Sequence, residues 1–279
     1  MPTLDEIVAL KLARVESVPD ELITAVDKNN AALYRELLVL LDGLEVDENG
    51  RLTPNNIARI EAIAQTMRQS ILGGEYRDAV LAFAREWNEM GVLNIQLMQQ
   101  SFDITDKELY RQVLLYSQRN AVDLLMATGV DERFIVPFKD ILARSSTSGA
   151  TIGEASQTLK DFIEGTDELE GTLTRYVSQM SRDLFAIADA QYLNTIAEDV
   201  DVEWYRYSGG TVKDSREFCV ERAGGYYRKA EVMSWGLIPE WQGRNRNTTP
   251  RTIFDYRGGY NCIHIIVPVD ESIVPDSFK

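Results

Sequence analysis

Along the first 200 residues apolar side chains recur every three to four positions, the period of helices that bury one face. Thr53 precedes Pro54 as a cap precedes a first-turn proline, and Ile57, Ile60, Ile63 and Ala64 then keep to one side as far as Ile71, with Gly73-Gly74 as the stop. Between Glu75 and Gln100 a second face gathers Val80, Phe83, Ala84, Trp87, Met90 and Ile95. Thr105-Asp106-Lys107-Glu108 has the spacing of a capping box and predicts a helix through Leu109, Val113, Leu114, Ala121 and Leu124 that Gly129 closes. Thr151-Ile152-Gly153-Glu154 repeats the box and opens a short helix ending near Gly165. From about 167 to 199, Leu173, Val177, Met180, Leu184 and Ile187 follow spacings of four and three. That helix would be roughly 45 Å long, enough to reach across a small domain or to join two. The polar run Ser145 to Gly149 is the best linker within the helical part.

After residue 200 the period shortens. Val202, Trp204 and Arg206 alternate with Glu203, Tyr205 and Tyr207 in a strand-like run that Ser208-Gly209-Gly210 ends. Asp214 can cap a short helix with Glu217 reaching back to it, and Gly224-Gly225 would terminate that helix. An extended Tyr226-Tyr227, a short helix from Lys229 to Trp235, and a polar loop over 243–250 follow. The clearest strand is 261–269, with Ile263, Ile265 and Val267 on one face and Cys262, His264 and Ile266 on the other. The predicted fold class is α+β: an all-α domain over residues 1–200, whose long helix leads into a small α+β module over 201–279.

Charge divides the chain at the same place. Of 44 acidic and 29 basic residues, 11 of each lie in 201–279, so the whole formal charge of −15 belongs to the first 200. Acidity there argues against broad coating by nucleic acid and is most simply a solvated helix surface; a sharper reading is a face that docks onto a protein partner. The neutral end is exempt from that argument. No apolar run approaches the roughly 20 residues of a membrane span, and Met1 to Leu10 lacks the basic and apolar segments of a secretory leader.

One histidine and two cysteines restrict the available chemistry and place it in the C-terminal module. On a strand Cys262 and His264 would share a face, and Cys219 packed beside them would give three ligands of the kind zinc accepts, with Asp214 as a possible fourth. The same residues are equally consistent with a buried cluster of reduced thiols, with a Cys219–Cys262 disulfide, or with a thiol and imidazole pair in a hydrolase or transferase. For the last, Cys219 with His264 is the better pair, since Cys262 and His264 diverge on a flat strand. Arg216, Arg244, Arg246 and Arg257, interleaved with Trp235, Trp241, Phe254, Tyr256 and Tyr260, suit phosphate contact and base stacking. The plainer account makes those aromatics the module's core and pairs the arginines with its equal number of acids.

The order of residues in this module carries a resemblance. Tyr207-Ser208-Gly209-Gly210, then Asp214-Ser215-Arg216 with Phe218-Cys219, then Trp235, Trp241 and Gly243, and finally Gly258-Gly259-Tyr260-Asn261-Cys262-Ile263-His264 with Pro268-Val269 resemble the C-terminal module of phage minor head proteins, the Mu F-like head morphogenesis family. The likeness covers about residues 202–270, and Ile263 stands where that family's pattern has arginine. It implies a virion protein of a tailed phage or prophage, present in few copies at the portal or inside the head. It further implies action in head morphogenesis, DNA packaging or delivery, and the portal or major capsid protein as partner. Packaged DNA could meet the C-terminal module, which zinc could brace; the protein would pass from host cytoplasm into the phage head. The other class the residues leave open is a toxin-like enzyme centred on His264 and Cys219.

Overall fold

The computed structural model describes residues 2–105 and 107–279. A mostly helical region reaches to Asp199, and a small region of short strands and helices follows it, so the class is α+β. The helices are α1 (Leu4–Leu41), α2 (Ile57–Gly73), α3 (Glu75–Gln99), α4 (Glu108–Asp123), α5 (Val136–Thr147), α6 (Ile152–Ile163) and α7 (Thr172–Asp199). None is long and apolar enough to cross a membrane. β1 (Gly165–Thr166) and β2 (Leu169–Glu170) form a small hairpin before α7.

Contacts gather the chain into two compact units that do not follow a boundary at residue 200. The first comprises residues up to Pro19, Arg85–Arg119 and Arg182–Lys279; the second comprises Asp20–Ala84 and Asn120–Ser181. Four helices, α1, α3, α4 and α7, contribute residues to both.

In the second unit α2 packs on α5 and on the turn of chain before it, and α5 packs on α6. Its core is hydrocarbon, with Ile60, Ile63, Met67 and Ile71 of α2, Leu142 of α5 and Leu159 and Ile163 of α6, while Phe134 stacks on Phe138 at 6.0 Å. Each such side chain contributes about 1.5–3 kcal/mol by leaving water. The Thr151 capping box forms as its spacing requires: Glu154 N–H donates to Thr151 Oγ1 at 3.2 Å, and Thr151 N–H donates to Glu154 Oε2 at 2.8 Å. Thr53 makes no side-chain cap; buried Asn56 instead bonds the backbone of Glu45 and Thr53. The box at Thr105 includes Asp106, which lies outside the described residues.

Gly129 does not end a helix. Residues Leu124–Ile135 form a π-helical stretch that runs on into α5. Two carbonyls freed by the wider winding are taken up by phenols, Leu124 O by Tyr176 at 2.6 Å and Leu125 O by Tyr76 at 2.7 Å. Gly129 sits where the Tyr176 ring crosses: a Cβ there would lie 2.3 Å from Tyr176 Cε1. The residue the sequence offers as a stop is a close-approach site. α7 likewise begins later than about 167, because Gly165–Glu170 is spent on the hairpin. Its deeply buried face runs through Leu173, Val177, Ser181, Phe185, Ala188, Tyr192 and Ile196, with Met180, Leu184 and Ile187 only half-buried at its margin.

In the first unit β3 (Trp204–Ser208) is the central strand of a three-stranded antiparallel sheet, between β4 (Tyr226–Arg228) and β5 (Ile265–Val269). Short helices α8 (Glu217–Val220), α9 (Lys229–Trp235) and α10 (Ile253–Tyr256) complete the module. Trp204, Tyr205, Tyr207, Trp235, Ile253, Phe254, Val267 and Val269 share one core with Ile7, Leu97, Met98, Tyr192 and Ile196. The same unit buries a charged network: Lys11 Nζ bonds both Asn94 and Asp189, and Asn94 Nδ2 donates to Asp189 at 2.7 Å. Lys11 is fully buried, and that burial lowers its pKa against the pull of Asp189. Arg257 is also buried, 1% exposed, with no hydrogen-bond partner at Nε or Nη1.

Candidate metal centre

The centre is assembled from three separate pieces of chain. Tyr207 comes from β3, where its carbonyl accepts from Gly224 N–H and its N–H donates to the Gly225 carbonyl. Cys219 lies on α8, a single turn whose N-cap is Arg216; Asp214 does not cap it. The turn before α8 is held by Ser215 instead, whose Oγ accepts from Val212 N–H at 2.8 Å.

Cys262 and His264 precede β5, which begins only at Ile265. The predicted strand from 261 is therefore shorter, and its first residues take another course. Asn261 has φ 53° and donates its N–H to Asp183 at 2.7 Å; Gly259 has φ 98°, and a Cβ there would lie 1.9 Å from the Gly243 carbonyl. Only glycine fits that approach. Freed from flat-strand geometry, Cys262 Sγ and His264 Nδ1 come to 3.7 Å, so the reason for preferring Cys219 as the partner of His264 does not hold.

Cys219 Sγ, Cys262 Sγ and a His264 ring nitrogen lie within 4.8 Å of one another, and all three residues are buried, 3%, 4% and 3% exposed. The group could hold a metal ion. Asp214 is not part of it, being exposed on the turn ahead of α8. Both cysteines are free thiols. Tyr207 Oη donates to Cys219 Sγ at 3.4 Å and lies 3.7 Å from Cys262 Sγ, while its ring stacks on His264 with centroids 5.1 Å apart. His264 Nε2 is buried without a partner.

The fit to a metal rests on Gly258. A Cβ built there would meet Cys219 Sγ at 2.4 Å and Cys262 Sγ at 2.8 Å. The glycine thus leaves a space at close to the metal–sulfur bonding distance of about 2.3 Å, beside two thiols and an imidazole of the kind zinc accepts. The electrostatics suit the same use. The hydrogen bond between the thiols holds Cys219 well above its ordinary pKa and Cys262 well below it, with His264 and Arg257 adding to the lowering of Cys262. Burial pushes the Tyr207 phenol up. One of the two thiols is thus prepared to ionise first.

Around this centre the aromatics make a wall. Phe218 stacks on Trp241 at 4.4 Å, Trp235 meets Tyr207 and Phe218 edge-on at 6.0 Å each, and Arg222 lies over Phe218 at 4.0 Å. Carbonyls near the glycines are tied to side chains: Trp241 Nε1 donates to Gly258 O at 3.0 Å, and Arg216 donates to Gly258 O and Tyr260 O. Arg244 spends its guanidinium on the Ile238 and Thr248 carbonyls. Of the four arginines suited by sequence to phosphate, Arg257 faces protein, Arg216 and Arg244 are half-buried in these anchors, and Arg246 is exposed.

Two participants are absent from the candidates that sequence supplies. Tyr207 reads there only as an outward partner in an alternating strand. Asp183, half-buried on α7, bonds Asn261 and carries a pKa raised by burial against the pull of that bond and of Arg257. Its local surroundings, in an ordinary helical stretch, carry no sign of either role. No family model, curated protein or solved structure matches the chain.

Proposed function

We propose that this chain is a minor head protein of a tailed phage or prophage, of the Mu F-like head morphogenesis kind, acting at the portal or the head interior in assembly, DNA packaging or delivery. One observation carries the reading. The residues that make up the resemblance are scattered over residues 207–264, yet Tyr207, Phe218, Cys219, Trp235, Trp241, Gly258, Cys262 and His264 close on a single buried centre. Such convergence is what a motif kept for holding a small module together requires. In this role the acidic helical part docks on the portal or major capsid protein, and the neutral module, with Arg246 outward, is the part able to approach DNA.

The finer statement about the centre is that it holds zinc. Cys219, Cys262 and His264 would be the ligands, and the ion would supply cross-linking of β3, α8 and the segment before β5. The burial of all three supports a structural use over a catalytic one, since a substrate has no path to a thiol or imidazole so covered. For the assembly role the full chain is co-expressed with the portal and major capsid proteins encoded beside it, and procapsids are isolated by sedimentation. The chain should travel with them in a few copies per particle. Its absence from procapsids, together with failure to co-purify with portal protein, sinks the proposal.

A further inference from the structure

We infer that the Tyr207 phenol oxygen is the fourth ligand of this centre, completing a Cys219–Cys262–His264–Tyr207 site for a zinc-like divalent cation. The inference rests on the metal reading above and names a ligand that reading lacks. Bonds of about 2.3 Å to sulfur and 2.0–2.2 Å to nitrogen or oxygen place neighbouring ligand atoms of a tetrahedral site roughly 3.5–3.8 Å apart. The observed separations are 3.4 Å from Tyr207 Oη to Cys219 Sγ, 3.7 Å to Cys262 Sγ, and 3.7 Å from Cys262 Sγ to His264 Nδ1. Tyr207 Oη therefore stands at a corner of the site, too far from both sulfurs to occupy its middle.

Gly258 points to the same corner independently. The three heavy atoms nearest the position of its missing Cβ are Cys219 Sγ, Cys262 Sγ and Tyr207 Oη, the last at 3.1 Å. The space the glycine leaves is thus bounded by both thiols and the phenol. Tyr207 is also fixed in place, paired through β3 with β5 and stacked on His264. Its hydroxyl bonds only sulfur, with no carbonyl or carboxylate competing for it. The carboxylate rivals are elsewhere: Asp214 is exposed, and Asp183 is engaged with Asn261 N–H and outside the cluster. Charge balance agrees. Two thiolates and a phenolate around a divalent ion leave one negative charge, beside the buried Arg257 that has nitrogens without partners.

The test uses the full reduced chain loaded with cobalt(II), beside Tyr207→Phe, which keeps the ring packing and removes only the oxygen. The wild type should give a thiolate-to-cobalt absorption and the intense visible bands of a tetrahedral ion. Tyr207→Phe should keep the thiolate band, lose or shift the tetrahedral bands, and bind about tenfold or more weakly in chelator competition. Identical spectra and affinities for the two proteins overturn the phenol ligand while leaving the metal centre standing. No thiolate band in the wild type removes both. Should the variant not fold, zinc titration of the wild type decides: the ultraviolet difference band of an ionised tyrosine is expected as zinc binds, and zinc bound without it also overturns the assignment.

Discussion

The two compact units bury different chemistry. In the second, the buried polar side chains are neutral, Asn29, Asn30, Asn56, Ser146, Thr174 and Ser181, among hydrocarbon. In the first, Lys11, Asp189 and Arg257 are buried with His264 and both cysteines, and among the described residues every fully buried charged side chain is there. The chain's surplus of acids lies in residues 1–200, and the charges that cost most to bury include one, Arg257, from the neutral end. Net charge by region describes a surface. Buried charge locates the sites whose disruption is expensive, because an ion left unpaired in the interior loses water and gains nothing in return.

The largest effect expected from this contrast is at Asp189. Asp189→Asn keeps the shape and leaves Lys11 buried without its counter-ion, and it should cost about 3–5 kcal/mol in denaturant unfolding. Next comes Gly258→Ala, which drives a methyl against both sulfurs; about 3 kcal/mol should be lost, and metal uptake with it, when bound zinc is assayed beside unfolding.

Asp255 should act in the opposite direction. Burial pushes its carboxyl up to about 6, opposed by a hydrogen bond from Gln191 and by Arg257. The folded chain thus holds this proton more tightly than the unfolded one, so stability is greatest below about pH 4 and falls as pH rises through 6. Asp255→Asn mimics the protonated group. It should match wild type at pH 4 and exceed it by roughly 1–2 kcal/mol at pH 7.5, allowing for screening of a partly exposed group, as urea midpoints at the two pH values would register.

The smallest effect belongs to the second unit, where Thr151→Ala removes a surface cap worth about 1 kcal/mol, independent of pH between 6 and 8. A Thr151→Ala loss equal to that of Asp189→Asn would break the contrast between the units.

Helices whose signals are local were legible without coordinates. α2 and α3 follow from their apolar spacing, and the Thr151 box from four residues. α1 has no counterpart among the elements that periods predict, and Pro19 in its interior is a residue that ordinarily argues against a helix. Gly129 and the start of β5 were misplaced for a common reason. A glycine can mean a stop or a close neighbour, and the neighbour, Tyr176, is 47 residues away in sequence.

The sequence by itself determined the fold class, the helical stretches from 57 onward, and the confinement of cysteine and histidine to the last 79 residues, since each depends on composition or on spacing within a few turns. The tertiary structure decided which of those residues meet. It brought Cys262 onto His264 by bending the chain ahead of β5 and set Tyr207 at the corner of the site. It also buried Arg257 beside that site and left Asp214 outside. Those placements depend on contacts between segments dozens of residues apart, and no local period encodes them.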